Sequence, residues 1–300
     1  MNHLILMTSV FMLSTAPVIV KLLSLAPLVV LFWRLLFVSG MLLPFAWKDL
    51  GTLKRSDAKM ILISSLVLFI HFLSWFSGVP KLNVGVTAVI FASNPIFTAI
   101  IGFLVLGEPF KKRYLLAIVA SILGIYLTYY SGQQVQVSLV GVIEILIASF
   151  CYSTYMVYSK RNRASLRNGV YTFYLNLFTC ILGLGAILVM ALIGKFDLNL
   201  LSHGLVENWK VLLMLAFLPS VLGHTLMIYS LPHYNLNFIS CLKLLSPLSA
   251  SAMAFFIFKE SVSENLVIGF LLVSTGVLFA LPWHKLRRSR PETVAWCVRK

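Results

Sequence analysis

Charge is what this 300-residue chain has least of: Asp, Glu, Lys and Arg together make up 11% of it, and only nine residues are acidic. A soluble domain carries about 25% charged residues, so the scarcity excludes a chain that covers itself in water. Cysteine is also sparse. Cys151, Cys180, Cys241 and Cys297 are scattered at no metal-ligand or disulfide-framework spacing, so they read as unpaired and no metal is expected. No GxxxxGKS or GxxxxGKT phosphate loop occurs, which excludes ATP-driven transport within this chain, and HExxH, GxSxG and CxxC are absent too. Neither an enzyme nor a bound cofactor is expected. A channel would show a continuous polar stripe through its apolar segments, and none is present.

Hydrophobic residues are abundant, at 60% with a mean hydropathy of +0.95. A bilayer-spanning helix needs roughly 20 mostly apolar residues. Ten such segments follow one another, at about 3–23, 27–46, 60–79, 84–106, 114–131, 139–159, 169–193, 210–231, 236–258 and 265–283. The fold class expected is an all-α membrane protein with ten transmembrane helices and the lipid bilayer as its solvent. The first segment lacks a basic lead-in and a clear small-residue cleavage site, so it reads as a retained first helix and not a signal peptide.

Cationic loops stay on the cytoplasmic side. With the N-terminus inside, the inner loops and the tail hold 17 of the 24 Lys and Arg residues, the outer loops hold five, and Arg34 and Lys243 remain within spans. Both termini are therefore expected in the cytoplasm. The net charge of +15 becomes a topology signal, with no nucleic-acid partner, because the tail is too short to be a folded basic domain.

Residues 80–128 recur without a gap as residues 232–280. A shift of 152 aligns Pro80 with Pro232, Asn83 with Asn235, Pro95 with Pro247, Glu108 with Glu260 and Gly124 with Gly276. In the first and sixth spans, Ser14, Thr15 and Lys21 align with Ser153, Thr154 and Lys160. Five spans per copy is an odd number, so the two copies have opposite orientation, the inverted-topology duplication typical of carriers. The expected units are a first repeat over 1–133, a second over 134–284 and a basic tail over 285–300.

Lys at the end of span 1, Arg within span 2, the Asn94-Pro95 break in span 4 and the Gly107-Glu108 run before span 5 resemble the EamA family of the drug/metabolite transporter superfamily. The resemblance implies a ten-helix alternating-access carrier with a cavity formed mainly by spans 1, 3, 4, 6, 8 and 9; the bacterial inner membrane is the expected location, and both a monomer and a homodimer stay open. The resemblance also implies a small-molecule substrate such as an amino acid, exported, or alternatively uptake or exchange of a nucleotide-like metabolite such as S-adenosylmethionine. One departure is that Ser14-Thr15 stand where the family commonly has Trp-Gly. A non-transporting scaffold would need neither the inverted duplication nor a midplane lysine.

Proline kinks a helix and frees the carbonyl four residues earlier. Pro95 would free that of Phe91, and Pro247 that of Lys243; either a nearby hydroxyl satisfies each carbonyl or it faces a cavity. Lys243 lies near mid-depth, where a cation costs at least about 2.5–3.5 kcal/mol, and its partner in the 152 register is Phe91. The substrate-binding candidates are Lys243, Phe91, Trp75, Tyr155, Tyr229, Asn94 and Ser246. Similar depth predicts that Arg34 pairs structurally with Glu144. His71 and His224, one residue off register, are candidates for proton coupling as well as for packing. Glu108 and Glu260 are expected to cap the starts of spans 5 and 10.

Overall fold

The computed structural model describes residues 2–106, 113–129, 138–163, 166–234, 236, 239, 242–243, 245–260 and 262–280. Glu108, Cys241, Cys297, the 133/134 repeat boundary and the basic tail lie outside the described residues. Among those described, the regular elements are all helical. They are α1 (Asn2–Ser14), α2 (Ala16–Lys21), α3 (Pro27–Ala46), α4 (Arg55–Gly78), α5 (Val84–Phe91), α6 (Asn94–Leu106), α7 (Arg113–Tyr129), α8 (Leu139–Asn162), α9 (Asn168–Leu192), α10 (Asn199–Leu215), a π-helical segment (Ala216–Thr225), α11 (Leu226–Ser230), α12 (Leu245–Phe258) and α13 (Glu264–Ala280), with 3₁₀ turns at Trp47–Thr52 and Val79–Lys81.

Among the described residues, seven helical stretches are long and apolar enough to cross a membrane: Asn2–Lys21, Pro27–Gly51, Arg55–Lys81, Val84–Ile101, Leu139–Asn162, Asn168–Leu192 and Asn199–Ser230. Shorter apolar helices cover Ile118–Leu127, Leu245–Phe258 and Glu264–Gly276. The chain is thus a multi-span membrane protein. Its outward side chains agree, with Leu104, Phe256 and Leu192 exposed by 70%, 70% and 86%. Such a surface would drive aggregation in water and is matched by lipid.

The prolines set the breaks. Span 4 divides into α5 and α6 around Ala92 and Ser93, with Asn94-Pro95 opening the second piece. Thr15 separates α1 from α2, whose first turn holds Pro17. In the π segment Pro219 has no N–H for the carbonyl of Leu215. The Ser220 hydroxyl donates to that carbonyl instead, at 2.8 Å, and the turn widens around the substitution.

Two sequence expectations are corrected here. The helix expected to begin near 210 begins at Asn199 instead. Its amphipathic first turns are held by the Trp33 indole N–H donating to the Leu201 carbonyl at 2.9 Å and by Gly204 lying against Leu25 and Val29. Glu260 does not cap the last helix. Ser263 accepts from the Leu266 N–H at 3.2 Å there. Lys259, in the left-handed region at φ 55°, ends α12 ahead of Glu260, whose carboxylate reaches another helix. One oxygen accepts from Lys21 at 2.5 Å and the other from the Val84 N–H at 2.8 Å, at the start of α5. It does meet a positive helix terminus, but not its own.

In the packing, α4 lies along α8, α3 along α9, α7 along α13, α5 along α12, and α1 against the π segment and α11. A methyl group on Gly124 would sit 2.6 Å from the Gly269 carbonyl, so α7 and α13 approach closely only because that position carries no side chain.

Candidate functional site

Where the breaks in span 4 and around Lys243 face α1, α3, α4, α8 and the π segment, they leave a cavity. The sequence candidates Lys243, Phe91, Trp75, Asn94, Ser246, Pro95, Pro247, His71 and His224 all line it. Arg34, Phe72, Phe76, Tyr152 and Leu13 line it as well.

Lys243 defines the chemistry. Its Nζ is buried with no hydrogen-bond partner among the described residues. It stands over the Tyr152 ring at 3.4 Å and the Phe91 ring at 4.9 Å. The two residues that share one position of the 152 register therefore touch each other. Aromatic faces offset part of the cost of a desolvated cation, but they supply no countercharge.

Arg34 is not the partner of Glu144. Lys81 takes both oxygens of Glu144, at 2.6 and 2.7 Å, and the Ser77 hydroxyl donates to one of them at 2.7 Å. The cause is local: α4 runs along α8, and Gly78 brings the two backbones close at Glu144, so Lys81 at the helix end folds back onto the carboxylate. Arg34 points the other way. Its Nε donates to the Ser220 hydroxyl at 2.7 Å, and its guanidinium lies 3.9 Å from the centre of the Phe72 ring.

The histidines meet, with ring centres 6.4 Å apart. His71 Nδ1 lies 2.7 Å from the Ala148 carbonyl, which makes it the protonated nitrogen, and His224 Nδ1 lies 2.8 Å from the Tyr155 hydroxyl. Tyr155 is fully buried behind His224 and is not among the lining residues. Tyr229 is also set apart, its ring against His233 at 5.4 Å. Asn94 turns its amide N–H toward the Ser149 carbonyl at 2.9 Å, and Ser246 accepts from the Ser14 hydroxyl at 3.0 Å.

Sequence reasoning missed Tyr152 and the cavity role of Arg34. A signal for Tyr152 existed: in the register that aligns Ser14 with Ser153, Tyr152 falls opposite Leu13, and both face the cavity. Phe72 likewise falls opposite His224 in the 152 register.

Comparison with known proteins places this arrangement. An uncharacterized transporter of Archaeoglobus fulgidus is 26% identical over 272 residues, covering 91% of this chain and 93% of that protein. One from Clostridium kluyveri is 25% identical over 287 residues, covering 91% and 90%. A solved crystal structure shares the fold at a TM-score of 0.66 with 14% identity, over 96% of this chain and 98% of the other. The model of the EamA-like transporter family matches residues 1–130 and 139–281, and on that match over nearly its whole length the chain belongs to the EamA-like transporter family.

Proposed function

We propose that this membrane transporter is a secondary carrier. It moves a small metabolite bearing a carboxylate or phosphate by alternating access, outward across the bacterial inner membrane, with both termini in the cytoplasm. The observation that carries the reading is Lys243: a cation at a helix break, enclosed in the cavity and left without an acceptor. A buried charge is costly until it is paired, and a substrate anion would complete it.

The alternating cycle rests on a ten-span inverted duplication. The family match in two stretches supports it, and so do the contacts. Packing of α4 on α8 has its counterpart in α1 on the π segment and α11. The Ser14–Ser246 hydrogen bond has its counterpart in Ser153 donating to the Asn94 carbonyl at 3.1 Å.

Thermal-shift screening of the purified protein over anionic metabolites tests the site. Stabilising ligands should bind wild type and lose their effect in Lys243→Ala, whereas equal stabilisation of both forms removes the anion contact. His71 and His224, whose rings lie 6.4 Å apart in the cavity wall, are the side chains a proton-coupled cycle would use. In liposomes, a His71→Ala/His224→Ala double variant should lose its flux response to a pH gradient; an unchanged response excludes their part.

A further inference from the structure

We infer that the substrate is a net organic anion with a flat or branched apolar body, in preference to a zwitterion, and that Arg34 serves as its second cation beside Lys243. The inference rests on the cavity being the substrate site and narrows what that site accepts. Among the described residues, two basic side chains, Arg34 and Lys243, line the cavity and no carboxylate does. Glu144, whose side chain could have balanced them, is held by Lys81 and Ser77, and Glu260 is held by Lys21 and Val84. An amino acid brought here would add an ammonium group to a low-dielectric space already lined by two basic side chains with no described carboxylate beside them. Like charges in such surroundings repel strongly. A carboxylate without the amine removes that term and supplies the missing countercharge. The remaining walls, Phe72, Trp75, Phe91, Leu13 and Ala250 among them, suit an apolar body.

Matched probes separate the classes. Binding of 3-phenylpropanoate and 4-methylpentanoate is compared with that of phenylalanine and leucine, which share those bodies but carry an amine, by calorimetry on the purified full-length transporter. The expected result is at least tenfold tighter binding of an anion than of its amino-acid partner. Lys243→Met and Arg34→Gln should each weaken the anion about tenfold or more, and Arg34→Lys, which keeps the charge, should retain more of the binding. Equal binding of anion and zwitterion overturns the assigned class and leaves the cavity as a substrate site. Loss in Lys243→Met without loss in Arg34→Gln overturns the role of Arg34. If neither anion binds, the site and the class fall together. Should Arg34→Gln not fold, Arg34→Lys decides instead: binding as weak as in Lys243→Met argues against a role carried by the charge.

Discussion

Two side chains of similar depth, Arg34 and Glu144, looked like partners in a chain with very few acids. The structure gives each a different companion, and the consequence is measurable. Lys81 and Glu144 form a bidentate contact, but their side chains are 38% and 21% exposed, so solvent screening limits the pair to about 1 kcal/mol or less. Glu144→Gln and Lys81→Met should each lower the melting temperature modestly, and the double variant should be little worse than the weaker single. Arg34→Met and Glu144→Gln should instead add independently; coupling between them would restore the abandoned pairing. That Arg34 and Glu144 lie within helices was legible in the sequence, but direction around the helix was not. Lys243 stood out because a lone cation in hydrocarbon has few tolerable places. Tyr152 did not stand out, because aromatics make up 13% of the chain and one more carries no signal by itself.

At the scale of elements, breaks written by single prolines were readable, as at Pro95 and Pro247. The π segment was not, because it needs Pro219 to free a carbonyl and Ser220 to take it, and only the folded geometry shows the exchange. The end of α12 carries a strain that the repeat itself identifies. Lys259 sits at φ 55°, a region that costs an L-residue about 1–2 kcal/mol, and the residue 152 positions earlier is Gly107. Glycine adopts that conformation freely but loses about 0.5–1 kcal/mol of chain entropy on folding. Lys259→Gly should therefore stabilise the protein by roughly 0.5–1 kcal/mol, seen as a higher melting temperature in detergent. Lys259→Ala separates backbone relief from loss of the positive charge, and an equal gain there would assign the effect to charge.

For the whole molecule, Glu260 joins the parts on which a carrier cycle would act. Its carboxylate comes from the segment after α12, and it holds the ammonium of Lys21 and the backbone N–H of Val84, both from the first stretch of the family match. The clamp ties α2 and the start of α5 to the end of α12. A static protein could keep this bond indefinitely. A carrier whose halves rock must release it whenever this end opens, so fixing it covalently should stop transport without unfolding the protein. With the four native cysteines replaced by serine, Lys21→Cys/Glu260→Cys joined by a short bifunctional thiol reagent is the test, and a cleavable reagent makes it reversible. Liposome flux should fall to background on cross-linking and return on cleavage, while either single-cysteine variant treated alike keeps its own uncross-linked rate. Undiminished flux through the cross-linked protein would mean that this end stays closed throughout the cycle, and alternating access around the Lys243 cavity would then be wrong.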